Sequence, residues 1–156
     1  MTAKIILLFT LLAYSMIVSQ SFMYLLSLKH LQLNLGFSTY TEVRKLIDAS
    51  MRMNFKYVIY AAMLFNLLLV IATAKQPSSL LFVTSVIALV ALQVDTLLTV
   101  KGNMPLNDII NTWSAANVPS DWEDYRTKWL TIFSYRQLAN ILGFVSLLVG
   151  AVFGAK

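Results

Sequence analysis

Four stretches of the chain, 5–28, 55–74, 80–100 and 129–153, are continuously apolar and hold at most one charged residue each. Each is about 20 residues long or slightly more, enough for a helix rising ~1.5 Å per residue to cross a hydrocarbon core of about 30 Å. Inside lipid the backbone must satisfy its own hydrogen bonds, so each stretch is expected to be helical. The pattern predicts an all-α, integral membrane four-helix bundle forming one domain over 1–156. The first stretch follows Lys4 in the manner of a signal peptide. It lacks an A-x-A cleavage site and stays apolar through 22–28, so it reads as a retained helix.

The polar connections differ in kind. Lys75-Gln76-Pro77-Ser78-Ser79 is a short turn, and its proline makes the second and third spans antiparallel neighbours. The connection 29–54 reads as helical over 40–48, with Ser38 or Thr39 as N-cap, so the second helix is expected to begin near Tyr40 and to project beyond the membrane. The connection 101–128 is the most polar segment and is expected to be a partly helical extramembrane loop. In it Gly102, Asn103 and Pro105 predict a break after the third span, 106–113 a short helix, and Ser120 a cap for the helix that follows.

Composition strengthens this reading. Hydrophobic residues make up 58% of the 156 and charged residues 12%, about half the ~25% of a soluble domain. The net charge of +5 lies mostly beside the two long connections. The positive-inside rule then places those connections in the cytoplasm and both termini outside, in an inner or plasma membrane. No basic face alternates with exposed aromatics, so no nucleic-acid partner is expected. The absence of cysteine excludes disulfides and thiolate chemistry, and a single histidine, His30, argues against a multi-histidine metal or haem site. The expected partners are the bilayer and an apolar small molecule. No metal or other cofactor is expected.

The remaining polar groups gather towards one end. Arg126, Trp129, Phe133, Arg136 and Asn140 recur every three or four residues and form one helical stripe, continued by Gly143, Leu147, Gly150 and Gly154. This predicts a polar and aromatic cavity above a tightly packed apolar half. Gly150 and Gly154 admit close helix approach, read as internal packing with a homo-oligomer left open. Arg136 within a span needs a partner, and Asp95 is the natural one. The pair is either a structural tie or part of a pocket. Gln20 and Tyr24 add polarity from the first helix. Arg44 and Asp48, one turn apart, read first as a surface ion pair. Asn66, in mid-span, reads as helix–helix glue.

The segment Lys101-Gly102-Asn103-Met104-Pro105-Leu106-Asn107-Asp108, with Trp113, Pro119, Asp121-Trp122, Arg126, Trp129 and Arg136, resembles the anthrone-oxygenase-like family of small four-helix membrane proteins. The resemblance covers about 35 residues, and chain size and helix count agree with it. It implies oxidation of a planar carbon acid by molecular oxygen without a cofactor: proton removal gives an electron-rich enolate that reacts with oxygen directly. On this reading Asp95 or Asp108 accepts the proton, and Arg136, Arg126, Asn103 and Asn107 stabilise negative charge. Trp113, Trp122, Trp129 and Tyr135 contact the ring, and Gln20, Tyr24, Arg44 and Asn140 complete the pocket. One departure stands out. Many members carry a histidine between the final Trp and Arg, where this chain has Ile132-Phe133-Ser134-Tyr135. The competing expectation is a non-catalytic accessory subunit holding a lipid, a quinone or a partner helix.

Overall fold

The computed structural model describes residues 2–154. It is all-α. α1 (Thr2–Met23) runs through a π-helical turn (Tyr24–Leu28) into α2 (Lys29–Leu33). α3 (Phe37–Thr73) is one unbroken helix. α4 (Leu80–Leu98) continues through a second π-helical turn (Thr99–Asn103) into α5 (Met104–Asn111). α6 (Trp122–Val149) ends in a third π-helical turn (Gly150–Gly154). The four resulting rods are each long and apolar enough to cross a membrane. α1 lies against α3 and α6, and α4 against α3 and α6, so the rods close into an up-down-up-down ring.

The helix boundaries correct several expectations. Every rod exceeds its apolar stretch, because polar residues beyond the spans keep helical backbone where neighbouring rods pack on them. α3 begins at Phe37, with Gly36 at the N-cap and no side-chain cap, so neither Ser38 nor Thr39 caps it. No break follows the third span. Gly102 and Asn103 lie within the π-helical turn, and Pro105 falls in the first turn of α5, directly after that turn, in helical backbone that continues without a break. The helix expected over 106–113 is Met104–Asn111. Asp121, not Ser120, holds the N-cap position of α6, without a side-chain hydrogen bond. At α4 the Ser79 hydroxyl accepts the Phe82 N–H at 3.3 Å, and the turn before it joins antiparallel neighbours as expected.

Packing divides the bundle into two ends. The apolar end gathers Leu7, Tyr14, Ile17, Ala62, Leu69, Leu81, Ala88, Leu92 and Leu147. Close approach of α6 and α4 depends on the glycine stripe: a methyl group at Gly143 would meet the Tyr14 hydroxyl and Ala91, and one at Gly150 would meet Thr84. Gly154 backs onto Leu81 in the same way. The stripe therefore serves packing inside the bundle, because α4 already occupies the face a second chain would need. Asn66 is fully buried at this end. In the amide orientation that satisfies both of its groups it donates to the Ser85 carbonyl and accepts the Leu89 N–H, joining α3 to α4 as the glue reading requires. The opposite end holds a cluster of aromatics and the buried charged groups.

Candidate functional site

A cavity of about 350 Å³ lies at the polar end. Four elements build it, each through its own periodicity. α3 presents Arg44, Ile47, Asp48, Met51, Arg52, Phe55 and Ile59, which recur at i+3 and i+4 and share one face. The wall from α4 to α5 presents Thr96, Thr99, Asn103, Met104 and Asn107. The π-helical turn between them adds a residue to the local repeat and sets the direction in which Asn103 and Asn107 project. α6 presents Trp129, Phe133 and Arg136, and α1 presents Gln20 and Tyr24. The cavity opens sideways between α3 and α4, where Lys56, Tyr60 and Val100 are exposed at its rim.

Two hydrogen-bonded chains organise the polar wall. In the first, Arg136 Nε donates to Asp95 Oδ1 at 2.7 Å and Nη1 donates to Asn103 Oδ1 at 3.1 Å. Asn103 Nδ2 donates in turn to the Trp129 carbonyl at 3.0 Å. Asp95 is nearly inaccessible, so its charge is spent on Arg136 and it stands behind the wall rather than on it. In the second chain Asn107 is the hub. Its Oδ1 accepts from Trp129 Nε1 at 2.8 Å and from Arg44 Nη2 at 2.9 Å, and its Nδ2 donates to Asp48 Oδ1 at 2.7 Å. Asp48 Oδ2 accepts from Asn111 at 2.8 Å and from Arg52 Nε at 2.9 Å. Arg52 reaches outward to Asp108 at 2.6 Å.

Arg44 is the exceptional member. It is only 3% exposed. Its guanidinium lies 3.7 Å from the Trp129 ring centroid, and Nη1 donates to the Tyr24 hydroxyl at 3.4 Å. Among the described residues it forms no ion pair, and its buried Nε has no hydrogen-bond partner. The expected Arg44–Asp48 surface pair is therefore corrected on both counts. Both residues are buried, and Asp48 pairs with Arg52, which lies one turn further along α3.

Of the residues singled out from sequence, Gln20, Tyr24, Arg44, Asn103, Asn107, Trp129 and Arg136 meet on the cavity wall. Asp108 does not. Its side chain is 63% exposed and turned to Arg52 from outside. Trp113, Trp122 and Arg126 form a separate cluster. Trp113 packs on Phe37 and Tyr125, and Trp122 packs on Phe37 and Tyr40. Arg126 stacks 4.5 Å from the Trp122 ring and donates to the Leu35 carbonyl at 2.8 Å. This cluster fastens the turn between α2 and α3 to the start of α6. Asn140 is buried off the cavity, with its Oδ1 unpartnered. The stripe Arg126, Trp129, Phe133, Arg136, Asn140 is buried throughout, as its spacing predicts, yet only its middle three members face the cavity.

Sequence reasoning passed over Asp48 as a wall residue, together with Arg52, Met51 and Phe55. The signal was present: 44, 48, 51, 52, 55 and 59 fall on one helical face, legible once α3 is one continuous helix. Chemically, the site offers an apolar slot with stacked Trp129 and Phe133 rings, 5.0 Å apart, at its polar end. It also offers one carboxylate and four cations on its wall. Compared with family models, curated proteins and solved structures, the chain matches none.

Proposed function

We propose that the chain is a membrane-embedded small-molecule-binding protein whose ligand is a planar or apolar molecule with one polar group. The observation that carries this reading is the cavity itself. Ile47, Met51, Phe55, Ile59 and Val100 supply an apolar body, and Arg44, Asp48, Asn103, Asn107 and Arg136 converge at one end. A largely apolar pocket with a few convergent polar groups is the usual form of a ligand site.

The resemblance to anthrone oxygenases adds a reaction to this site. A carbon acid loses a proton to a base, and the enolate gives an electron pair to oxygen. The resulting hydroperoxide loses water to leave a ketone, so anthrone and oxygen become anthraquinone and water. Asp95 and Asp108 stand off the wall, and Asp48 is the carboxylate placed to take the proton. Its Oδ1 accepts one hydrogen bond, which leaves a lone-pair direction open. Arg136 is already neutralised by Asp95, so Arg44, which forms no ion pair among the described residues, is the wall cation best suited to stabilise the enolate oxygen. The sideways opening favours a second reading, in which a bilayer lipid or quinone is held without reaction. We also place the polar end on the cytoplasmic side. Lys29, Arg52, Lys56, Lys101 and Lys128 are exposed there, against Lys4 and Lys75 among the described residues at the other end.

Native mass spectrometry of gently purified protein, with organic extraction of what it carries, tests the first reading. A planar aromatic or quinone-like molecule near one per chain supports it, and oxygen uptake with anthrone as substrate then separates catalysis from storage. Bulk phospholipid alone, with no oxygen uptake, removes the enzyme reading.

A further inference from the structure

The cavity holds more positive charge than its own carboxylates balance. Four cations stand on its wall: Arg44, Arg52, Lys56 and Arg136. Asp95 is paired with Arg136, and Asp48 and Asp108 are both paired with Arg52. Lys56 sits exposed at the rim, where water solvates it. Arg44 has neither remedy. It is buried, and among the described residues no carboxylate pairs with it and its Nε has no acceptor. A buried guanidinium is normally paired, because burial strips away solvation that nothing else then replaces. What Arg44 does have is a cation–π contact with Trp129, which fixes the plane of its fork, and bonds to two neutral oxygens, Tyr24 OH and Asn107 Oδ1. Such a group is held in place and still lacks an anion.

We infer that the cavity selects a ligand carrying an anionic oxygen on an apolar body, and that Arg44 is the residue that reads this charge. The inference rests on the proposed ligand-binding role and deepens it by naming the ionisation state of the ligand. The charged oxygen takes the guanidinium hydrogens of Arg44 that Tyr24 and Asn107 leave unused on Nη1 and Nη2, while the apolar body lies along Ile47, Met51, Phe55 and Ile59. Arg136 does not compete for this role, because Asp95 already neutralises it at 2.7 Å. Two sources supply such chemistry, a small aromatic acid and a fatty-acid carboxylate from the bilayer, and both would enter through the sideways opening.

The test compares ligands that share a body and differ in charge. Binding of 2-naphthoate and 2-naphthalenemethanol is measured by fluorescence on full-length protein in nanodiscs, with partition into protein-free nanodiscs subtracted. Oleate and oleyl alcohol form the lipid arm. A hydrogen bond to a charged group contributes about 1.5–3 kcal/mol, so the acid of at least one pair is expected to bind about tenfold or more tightly than its alcohol. Arg44→Gln erases that preference by weakening the acid more than the alcohol, whereas Arg44→Lys, which keeps the charge, retains part of it. Alcohol binding and helical content together report that each variant is folded. Preference in the naphthalene pair alone identifies an aromatic acid, and preference in the oleyl pair alone identifies a lipid. If wild type binds the alcohols as tightly as the acids, or Arg44→Gln weakens both equally, the inference is overturned while the cavity remains a ligand site. If neither member of either pair binds, the proposed function fails with it.

Discussion

The Asp95–Arg136 pair joins α4 to α6 at the boundary between the packed apolar end and the cavity, and replacing Asp95 with Asn exposes its energetics. The Asp95 side chain is 2% exposed and that of Arg136 10%, so water replaces almost nothing when the pair is broken. The Asn amide can still accept a hydrogen bond from Nε, but the guanidinium loses its counter-charge and keeps only Asn103 Oδ1, at 3.1 Å, as a further acceptor. Breaking one side of a buried pair costs about 3–5 kcal/mol, most of it the uncompensated charge left behind. The retained neutral hydrogen bond returns about 1 kcal/mol of this. Asp95→Asn is therefore expected to destabilise the bundle by about 2–4 kcal/mol. Arg136→Gln alone strands Asp95 at a similar cost, while the double variant removes both charges and should recover most of the loss, giving a coupling of about 3 kcal/mol or more. Unfolding in mixed micelles by titration with a denaturing detergent, followed by circular dichroism, reads all four corners of the cycle. A single-variant loss below about 0.5 kcal/mol, within the range of an ordinary surface substitution, would show that lipid or cavity water solvates Arg136. The picture of a dry, paired boundary would then be wrong.

Two further outcomes follow from packing and exposure. Gly143→Ala places a methyl group against the Tyr14 hydroxyl and Ala91, and Tyr14 is fully buried with its hydroxyl donating to the Ala88 carbonyl. Overpacking of this kind should cost about 1–3 kcal/mol in the same detergent titration, and an unchanged midpoint would mean that α6 and α4 do not pack so closely. Asp108→Ala removes an exposed ion pair to Arg52 at a residue off the cavity wall. It should change stability by less than about 1 kcal/mol and leave ligand binding intact. Loss of binding in that variant would restore Asp108 to the site.

The candidate site was legible in outline for a physical reason that also sets its limit. Charged groups within a lipid-facing span must turn inward, so Arg136 and Asp95 identified themselves by type and depth, whereas Asn103 and Asn107 were singled out only through the resemblance. Direction within the interior was not legible. Asp95, Asp108 and Asp48 are chemically alike in the sequence, yet one lies behind the wall, one outside it and one on it. Trp113 and Trp122 shared a motif with Trp129 and belong to a different cluster, because the link between α5 and α6 folds them onto Phe37 and Tyr40.

By itself the sequence determined the number of spans, the helical character of every element, the antiparallel second and third rods, and the end at which polar groups collect. Lipid accepts only backbones that satisfy themselves, so apolar length alone dictates these features. The sequence also placed the start of the second helix within a few residues of where α3 begins, and tertiary structure decided that Gly102 and Pro105 are absorbed into a π-helical turn and a first helical turn. It also decided that Asp48 pairs with Arg52, which leaves Arg44 buried on the cavity wall without a counter-charge. Those outcomes depend on which rods pack side by side, and packing between distant segments is settled by shape and charge across space rather than by spacing along the chain.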